Sequence, residues 1–136
     1  MDRMRAGVKF SEDRCYEILR QMRWPKGIIC PLCEGKRVTT HSKFASTSRR
    51  RYLCVGCRRT FTDLTGTPLA RTNLPLGTWF LCLDLIARGQ KTSKLAKELG
   101  VKWDTAAYML RRLDRALIRQ GFVWRLRDAV KEAQHG

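Results

Sequence analysis

The sequence predicts an α+β protein, in which a small antiparallel β-ribbon is preceded by one helix and followed by a bundle of helices. Three observations support this fold class. Two Cys-x-x-Cys pairs lie close together in the first half, β-prone residues surround them, and apolar residues recur at helical spacing from residue 74 onward. The predicted parts are an N-terminal helix in 1–27, the ribbon in 28–64, a helix-turn-helix bundle in 65–120, and a basic helix or tail in 121–136.

The first helix begins after Ser11, whose hydroxyl can cap free backbone N–H groups. Apolar side chains then recur on one face, at Cys15, Ile18, Leu19 and Met22. The helix is expected to end at Trp24, because the residue before a proline is disfavoured in the helical region. Because Cys15 lies on this apolar face, we expect it to be a small core residue rather than a ligand.

The two cysteine pairs predict a metal site. Cys30 and Cys33 form the first pair, and Cys54 and Cys57 form the second, twenty residues later. This spacing is typical of four thiolates around one structural Zn²⁺ ion. Paired disulfides would need an oxidising compartment, and the charged start of the chain does not look like a signal peptide. A thioredoxin-like redox pair would need a βαβ setting, which the surrounding sequence lacks.

Three β-prone runs and the segment after the second cysteine pair are expected to form the ribbon, at 38–40, 44–45, 51–53 and 58–62. Tyr52 and Phe61 are expected to cover the metal site with apolar surface. A turn signal follows at 65–68 and is the natural boundary of the ribbon.

The second half predicts three successive helices. Pro75 suits the first turn of a nearly apolar helix that ends at Gly89. Thr92 is expected to cap a short helix, and Gly100 to turn the chain into a longer helix over 103–119 with Leu117 on its inner face. A short helix, a glycine turn and a longer basic helix predict a helix-turn-helix motif, although any three-helix bundle could contain the same turn.

The charge of the chain favours nucleic acid as partner. Lys and Arg number 28 against 12 Asp and Glu, which gives a formal net charge of +16. No apolar run is long enough to span a membrane, so we expect a cytoplasmic, nucleoid-associated protein.

Two groups of side chains are candidates for contact with double-stranded DNA. In a helix-turn-helix, the second helix enters the major groove by its N-terminal part. The outward positions there are Lys102, Thr105, Tyr108, Arg111 and Arg112. The second group is Arg49, Arg50 and Arg51, which suit phosphate contacts but could also form a solvated turn. Trp103 is expected to pack in the core, with contact in the groove as the alternative.

Several linked motifs resemble the zinc-ribbon and helix-turn-helix front end of a family of bacterial insertion-sequence transposases. They are Arg23-Trp24-Pro25-Lys26-Gly27, Cys30-Pro31-Leu32-Cys33, Cys54-Val55-Gly56-Cys57, Thr65-Gly66-Thr67 and Lys94-Leu95-Ala96-Lys97-Glu98-Leu99-Gly100-Val101. The resemblance covers roughly residues 8 to 118. It implies binding to the terminal inverted repeats of a mobile element.

The chain departs from that family in three places. The family continues into an RNase H-like catalytic domain, which we do not find here, so no enzymatic activity is expected. Asp128 and Glu132 do not replace it, because a two-metal site needs carboxylates positioned by a folded scaffold. Ala107 stands where a bulkier residue is expected, and Glu34 precedes the glycine expected directly after the first cysteine pair.

Three functions remain open at this point. The chain could recognise element ends as part of a truncated or split transposase, with catalysis supplied by a separately encoded chain. It could be a stand-alone transcriptional repressor, or a zinc-ribbon interaction module in transcription or RNA handling. An apolar strip in the last helix could either pack on the bundle or join two copies of the chain as a homodimer; it comprises Phe122, Trp124, Leu126 and Val130.

Overall fold

The computed structural model describes residues 10–43, 48–70, 72–119 and 121–135, with their side chains except at 41–43, 114–119 and 135. The α+β class is confirmed: these residues form five helices and one three-stranded antiparallel sheet. In chain order the elements are α1 (Glu12–Arg23), β1 (Val38–Lys43), β2 (Arg50–Cys54), β3 (Thr60–Thr62), α2 (Leu76–Ala87), α3 (Thr92–Leu99), α4 (Trp103–Arg119) and α5 (Phe122–His135).

Helix α1 has the predicted start and end. The Ser11 hydroxyl accepts a hydrogen bond from the backbone N–H of Arg14 at 3.2 Å. Trp24 leaves the helical conformation and donates its own N–H to the carbonyl of Arg20. Cys15 is fully buried in the core that α1 shares with the other helices, as expected of a small apolar residue.

The sheet has the order β1-β2-β3, with both pairs antiparallel. The bulge in β1 lies between Thr40 and Ser42. The run expected to extend from 58 to 62 forms a strand only over 60–62, because Arg58 has a φ of 65° and belongs to the metal-binding turn. The predicted run at Phe44-Ala45 lies outside the described residues.

Helix α2 is central to the helical bundle, with eight of its twelve residues buried. Pro75 precedes the helix as its cap residue instead of standing in the first turn. Since proline offers no side-chain cap, the carboxylate of Glu12 in α1 takes this role. It accepts from the backbone N–H groups of Leu76 at 2.6 Å and Gly77 at 3.1 Å.

Helices α3 and α4 are joined by the predicted glycine turn. Gly100 has a φ of 71°, a left-handed conformation that other residues adopt only with strain. The cap residue of α3 is Lys91 and not Thr92, which is already helical. Ala106, Met109 and Leu113 form the buried face of α4. The side chain of Leu117 lies outside the described part of the helix.

Helix α5 closes the bundle by packing against α1, α2 and α4. Phe122, Leu126 and Val130 are buried in the common core, so most of the predicted apolar strip covers the bundle. Trp124 is the exception and is 50% exposed. Within the described residues, none of the helices is long and apolar enough to cross a membrane.

Candidate metal centre and basic surfaces

The four predicted ligands meet at one end of the sheet. The Sγ atoms of Cys33 and Cys54 are 3.5 Å apart, and those of Cys30 and Cys57 are 3.8 Å apart. All four sulphur atoms lie within 4.8 Å of one another. A tetrahedral site with Zn–S bonds of about 2.3 Å has sulphur atoms about 3.8 Å apart. Donor type, donor number and spacing therefore fit one structural zinc ion.

The two cysteine pairs lie in turns with matching hydrogen bonds. Behind the first pair, Cys30 accepts from the N–H of Glu34 at 2.8 Å; behind the second, Cys54 accepts from the N–H of Arg58 at 2.8 Å. The N–H groups of Cys30 and Cys54 donate in turn to Gly35 and Arg59, at 2.9 Å and 3.0 Å. Backbone geometry thus positions the four sulphur atoms from two similar supports.

Each turn needs a left-handed residue directly after its second cysteine. Glu34 and Arg58 both have a φ of 65°, which is strained for residues with a side chain. Glu34, which stands where the resembling family has glycine, therefore adopts the same left-handed backbone conformation as Arg58 in the second turn. Gly35 is needed for another reason: a Cβ there would lie 3.2 Å from Cys33 Sγ and 3.6 Å from Cys54 Sγ.

The pKa values of two of the thiols, Cys57 and Cys33, are shifted in opposite directions. A hydrogen bond from the backbone N–H of Arg59 is the main reason that the pKa of Cys57 falls to about 6. The N–H of Gly35 acts in the same direction on Cys33, but hydrogen bonds with the other thiols and burial outweigh it and raise the pKa of Cys33 to about 12. Zinc binding requires these thiols to lose their protons.

Aromatic side chains cover the metal site, as predicted for Tyr52 and Phe61. Both are buried with Cys30 and Cys54, and their ring centroids are 5.2 Å apart. Trp24 packs edge-on against both rings, at 5.7 Å and 6.2 Å. This small core excludes water from one side of the cysteine cluster.

A buried carboxylate that the sequence analysis missed joins α1 to the sheet. Asp63 is fully buried and accepts hydrogen bonds from Arg20 Nε at 3.1 Å, the Tyr52 hydroxyl at 2.5 Å and the Arg50 backbone N–H at 2.9 Å. Arg23 Nη1 donates to the Asp63 carbonyl at 2.7 Å. Burial lowers the pKa of Arg23 to about 10, although Asp63 opposes the shift. The available signal was that Asp63 is the one acidic residue between Glu34 and Asp84.

The candidate DNA contacts lie in the N-terminal part of α4 and, for Lys102, directly before it. Lys102, Tyr108 and Arg111 are exposed, and Thr105 is half-buried. The expectation that Trp103 packs in the core is wrong, since its side chain is 57% exposed. Helical side chains lean towards the N-terminus, so a residue in the first position of α4 extends past the helix start and away from the bundle.

Arg112 is engaged inside the molecule. Its Nε donates to the carbonyl of Pro68 at 2.8 Å, and its Nη2 donates to that of Ala70 at 3.3 Å. The guanidinium also lies 5.9 Å from the ring centroid of Tyr108, whose ring packs against Trp79. Arg112 therefore fastens the segment after the ribbon to α4.

The arginine run occupies a different part of the molecule. Arg50 and Arg51 lie in β2, which pairs with β1 and β3, whereas α4 packs mainly against α3 and α5. Arg50 is exposed, and Arg49 and Arg51 are half-buried. Arg49 lies beside α1, where its charge partly offsets the burial that raises the pKa of Tyr16 to about 12. The candidate contacts thus form two separate groups.

Comparisons with known proteins agree with this geometry. Residues 10–60 match the family described as "Transposase zinc-ribbon domain". The chain is also 34% identical over 108 residues to a protein of the archaeon Halobacterium salinarum, described as "Uncharacterized protein in transposable element ISH50". That alignment covers 79% of this chain but only 36% of the relative, so the chain spans about a third of the relative's length. No solved structure gives a significant match.

The relative is archaeal, so the resemblance is not confined to bacterial elements. The family match covers the four cysteines and the helix that leads to them, and the relative extends the similarity over most of the chain. Residues 10–60 are thus similar to a transposase zinc-ribbon domain, and most of the chain is similar to a protein of a transposable element.

Proposed function

We propose that this chain binds duplex DNA sequence-specifically, as the end-recognition part of an insertion-sequence transposition system. The observation that carries the proposal is the exposed face of α4. It presents Tyr108 and Arg111, and Lys102 is exposed just before the helix, in the connection that follows the left-handed turn at Gly100. In a helix-turn-helix motif the second helix presents such a face to the major groove.

The roles on α4 follow from exposure and chemistry. Arg111 is the candidate for guanine, since a guanidinium can donate two hydrogen bonds to one base edge. Lys102 and Tyr108 are suited to phosphates beside the groove, and Thr105 to a phosphate or a thymine methyl group. Arg112 supports this face from behind, because its donors already bind Pro68 and Ala70.

The arginines at 49–51 would add contacts that do not depend on sequence. Guanidinium groups bind phosphates along any duplex and so fix the position of a protein without selecting its site. The zinc ion would be structural here: Cys30, Cys33, Cys54 and Cys57 would hold it and thereby order the sheet that carries Arg50 and Arg51 and begins directly after Arg49.

In this proposal the described residues supply recognition and not catalysis. Strand cleavage and joining would come from a separate catalytic unit, which binds at the same element ends in the nucleoid. Two copies of the chain would occupy a pair of inverted repeats, since half-sites related by symmetry are bound by paired protomers.

The test is selection of bound fragments from sheared genomic DNA of the host, with zinc-loaded full chain at physiological salt. Non-specific phosphate binding is already weakened at that salt concentration. We expect enrichment of inverted repeats at the ends of a mobile element. Enrichment of a single promoter site instead would identify a repressor, and no enrichment at all would refute sequence-specific recognition.

Substitutions on α4 and at 49–51 test the roles of these two groups of DNA contacts separately. Arg111→Ala is expected to reduce the preference for the selected site by about 10- to 100-fold, the range for one bidentate base contact. Its control is Lys131→Ala on α5, which removes one exposed positive charge far from α4 in sequence. Neutralising Arg49, Arg50 and Arg51 together should weaken binding to every sequence and lower the salt slope by about 2.7. Identical effects of both changes on all duplexes would contradict this division.

A further inference from the structure

We propose that the outer face of the three-stranded sheet is a second DNA-binding surface, which holds the two phosphate backbones on either side of one groove. The face is centred on Leu53 and bordered by Thr39 and Thr60, and below it is called the outer face. The proposal rests on the proposed function, because it concerns a further contact with the same duplex. It adds a surface distinct from α4, and Arg51 of the arginine run lies on the same face, in the next row opposite Thr62.

The strand register defines which side chains share this face. Thr39 lies opposite Leu53, and Leu53 lies opposite Thr60, so the three form one row across the sheet. The adjacent row of Thr40, Tyr52 and Phe61 must point to the other side. That side holds the buried aromatic core over the cysteines. The outer face is therefore the side of the sheet without the aromatic core, and Thr39 and Thr60 are exposed on it; Thr40 is exposed as well, at the margin of the aromatic side in the edge strand.

The side chains around this row differ in the polar groups that they can offer to a ligand. The hydroxyl of Thr62, next but one in β3, already accepts a hydrogen bond from Leu64 at 3.2 Å. Arg37, two residues before Thr39, is exposed at the same edge of the sheet. Val55, two residues after Leu53, is 38% exposed. An apolar centre is thus bordered by a hydroxyl on each side and by a guanidinium on one.

The charge of the ribbon identifies the occupant as a polyanion. Eight of the residues from 35 to 62 are Lys or Arg, and none is Asp or Glu. Two carboxylates flank this stretch: Asp63 is fully buried and bound to Arg20, and Glu34 is exposed in the turn after the first cysteine pair. An acidic or neutral protein partner would face the same positive charge. A duplex in addition presents two parallel rows of phosphate acceptors at fixed spacing.

The width of the face fits such a pair of rows. Thr39 and Thr60 are separated by β2, hence by two strand spacings, or about 10 Å. The major groove of B-DNA is about 12 Å wide. The groove admits a helix or a two-stranded ribbon, and the third strand makes this sheet too broad to enter it, so the sheet would lie across the opening with Leu53 over the centre. The face would then position the ribbon and carry no base contacts.

The test uses the zinc-loaded full chain, the duplex selected in the experiment above and a duplex of unrelated sequence. Thr39→Val combined with Thr60→Val removes both hydroxyls while valine keeps the preference for a strand. We expect about tenfold weaker binding to both duplexes and an unchanged salt slope, since no charge is lost. Arg37→Gln should lower the salt slope by about 0.9, as expected for one phosphate contact.

Matched controls separate the surface from a change of fold. Thr40→Val makes the same substitution in the same strand on the opposite side of the sheet and should bind like the wild type. Lys131→Gln removes one charge outside the ribbon and should bind both duplexes like the wild type. Zinc content and unfolding midpoint are measured for each variant. The double valine variant must match Thr40→Val in zinc content and in unfolding midpoint. If it does not, the double serine variant, Thr39→Ser with Thr60→Ser, which keeps both hydroxyls, must bind like the wild type.

The outcomes distinguish this inference from the proposed function. Wild-type affinity in the double valine variant, with an Arg111→Ala variant that loses site preference, would overturn the outer face and leave recognition by α4 intact. Weaker binding of the double variant to both duplexes, with no effect of Arg111→Ala, would support the outer face and refute recognition by α4. A double variant that weakens only the selected duplex would contradict the absence of base contacts and overturn the proposal.

Discussion

Replacing Asp63 with Asn removes the charge at the point where α1 and the sheet meet. The carboxylate is fully buried and accepts from Arg20, Tyr52 and the backbone of Arg50. An amide has one acceptor oxygen and a donor NH₂ group, so at least one of the three donors loses its acceptor. Arg20, whose side chain is only 14% exposed, also loses its counter-charge.

The size of the expected loss of stability follows from the burial of this ion pair. Removing one partner of a buried ion pair costs about 3–5 kcal/mol, because the remaining charge stays desolvated. Arg20 keeps a hydrogen bond to the carbonyl of Ser48 at 2.6 Å, which favours the lower end, about 3 kcal/mol. Domains are stable by about 5–15 kcal/mol in total, so Asp63→Asn should remove a large part of the free energy of unfolding.

The assay is urea unfolding in excess zinc, followed by circular dichroism and tryptophan fluorescence. Because zinc binding and ribbon folding are coupled, competition with a chromogenic chelator should show zinc affinity lower by about 100-fold. Asp128→Asn on the exposed side of α5 is the control and should change stability by less than about 0.5 kcal/mol. If Asp63→Asn unfolds within about 0.5 kcal/mol of that control, the buried ion pair does not stabilise the protein as argued.

Three further changes test other parts of the structure. Cys30→Ser should abolish zinc binding and unfold the ribbon, seen as loss of sheet signals in NMR, whereas Cys15→Ala should keep the metal. Gly35→Ala would bring a Cβ to 3.2 Å from a ligand sulphur, so chelator competition should show weaker zinc binding, and unchanged affinity would contradict the close contact. Glu12→Ala removes the cap of α2 and should lower the free energy of unfolding by about 1–2 kcal/mol, against little change for Glu17→Ala in the exposed part of α1.

The parts of the fold that the sequence predicted are those fixed by near neighbours. The Ser11 cap acts over three residues, and Trp24 stops α1 because proline follows it. Gly100 turns the chain by its own backbone freedom. The cysteine pairs were equally clear, since each forms a local turn and the metal requires both.

The contacts that the sequence did not predict join distant residues. Glu12 caps a helix 64 residues later, Arg20 pairs with a carboxylate 43 residues later, and Arg112 binds a carbonyl 44 residues earlier. Each of these residues also had an ordinary local interpretation, as a first-turn acid or an outward-facing base. Their actual partners depend on how α1, the sheet and α4 pack together, which periodicity does not specify.

For the candidate site the same limit applies. The zinc ligands could be assigned from spacing alone, whereas the surface chemistry of α4 depended on which side chains the bundle covers. Arg111 and Arg112 are neighbours of one type, yet only Arg112 points back to the segment at 68–70. A helical repeat places both near the outward face and does not separate them.

The Asp63 contacts also determine which fragments of this protein can be studied separately. The family match ends at residue 60, and a fragment cut there would lack Asp63 and two residues of β3. A fragment that begins at residue 28 would keep the carboxylate but lose Arg20 and Arg23. Either cut removes one side of the buried contact between α1 and the sheet and exposes the surface that it covered, so we expect both pieces to be poorly folded even with zinc. A fragment intended to isolate the metal site should extend from before Ser11 to beyond Asp63.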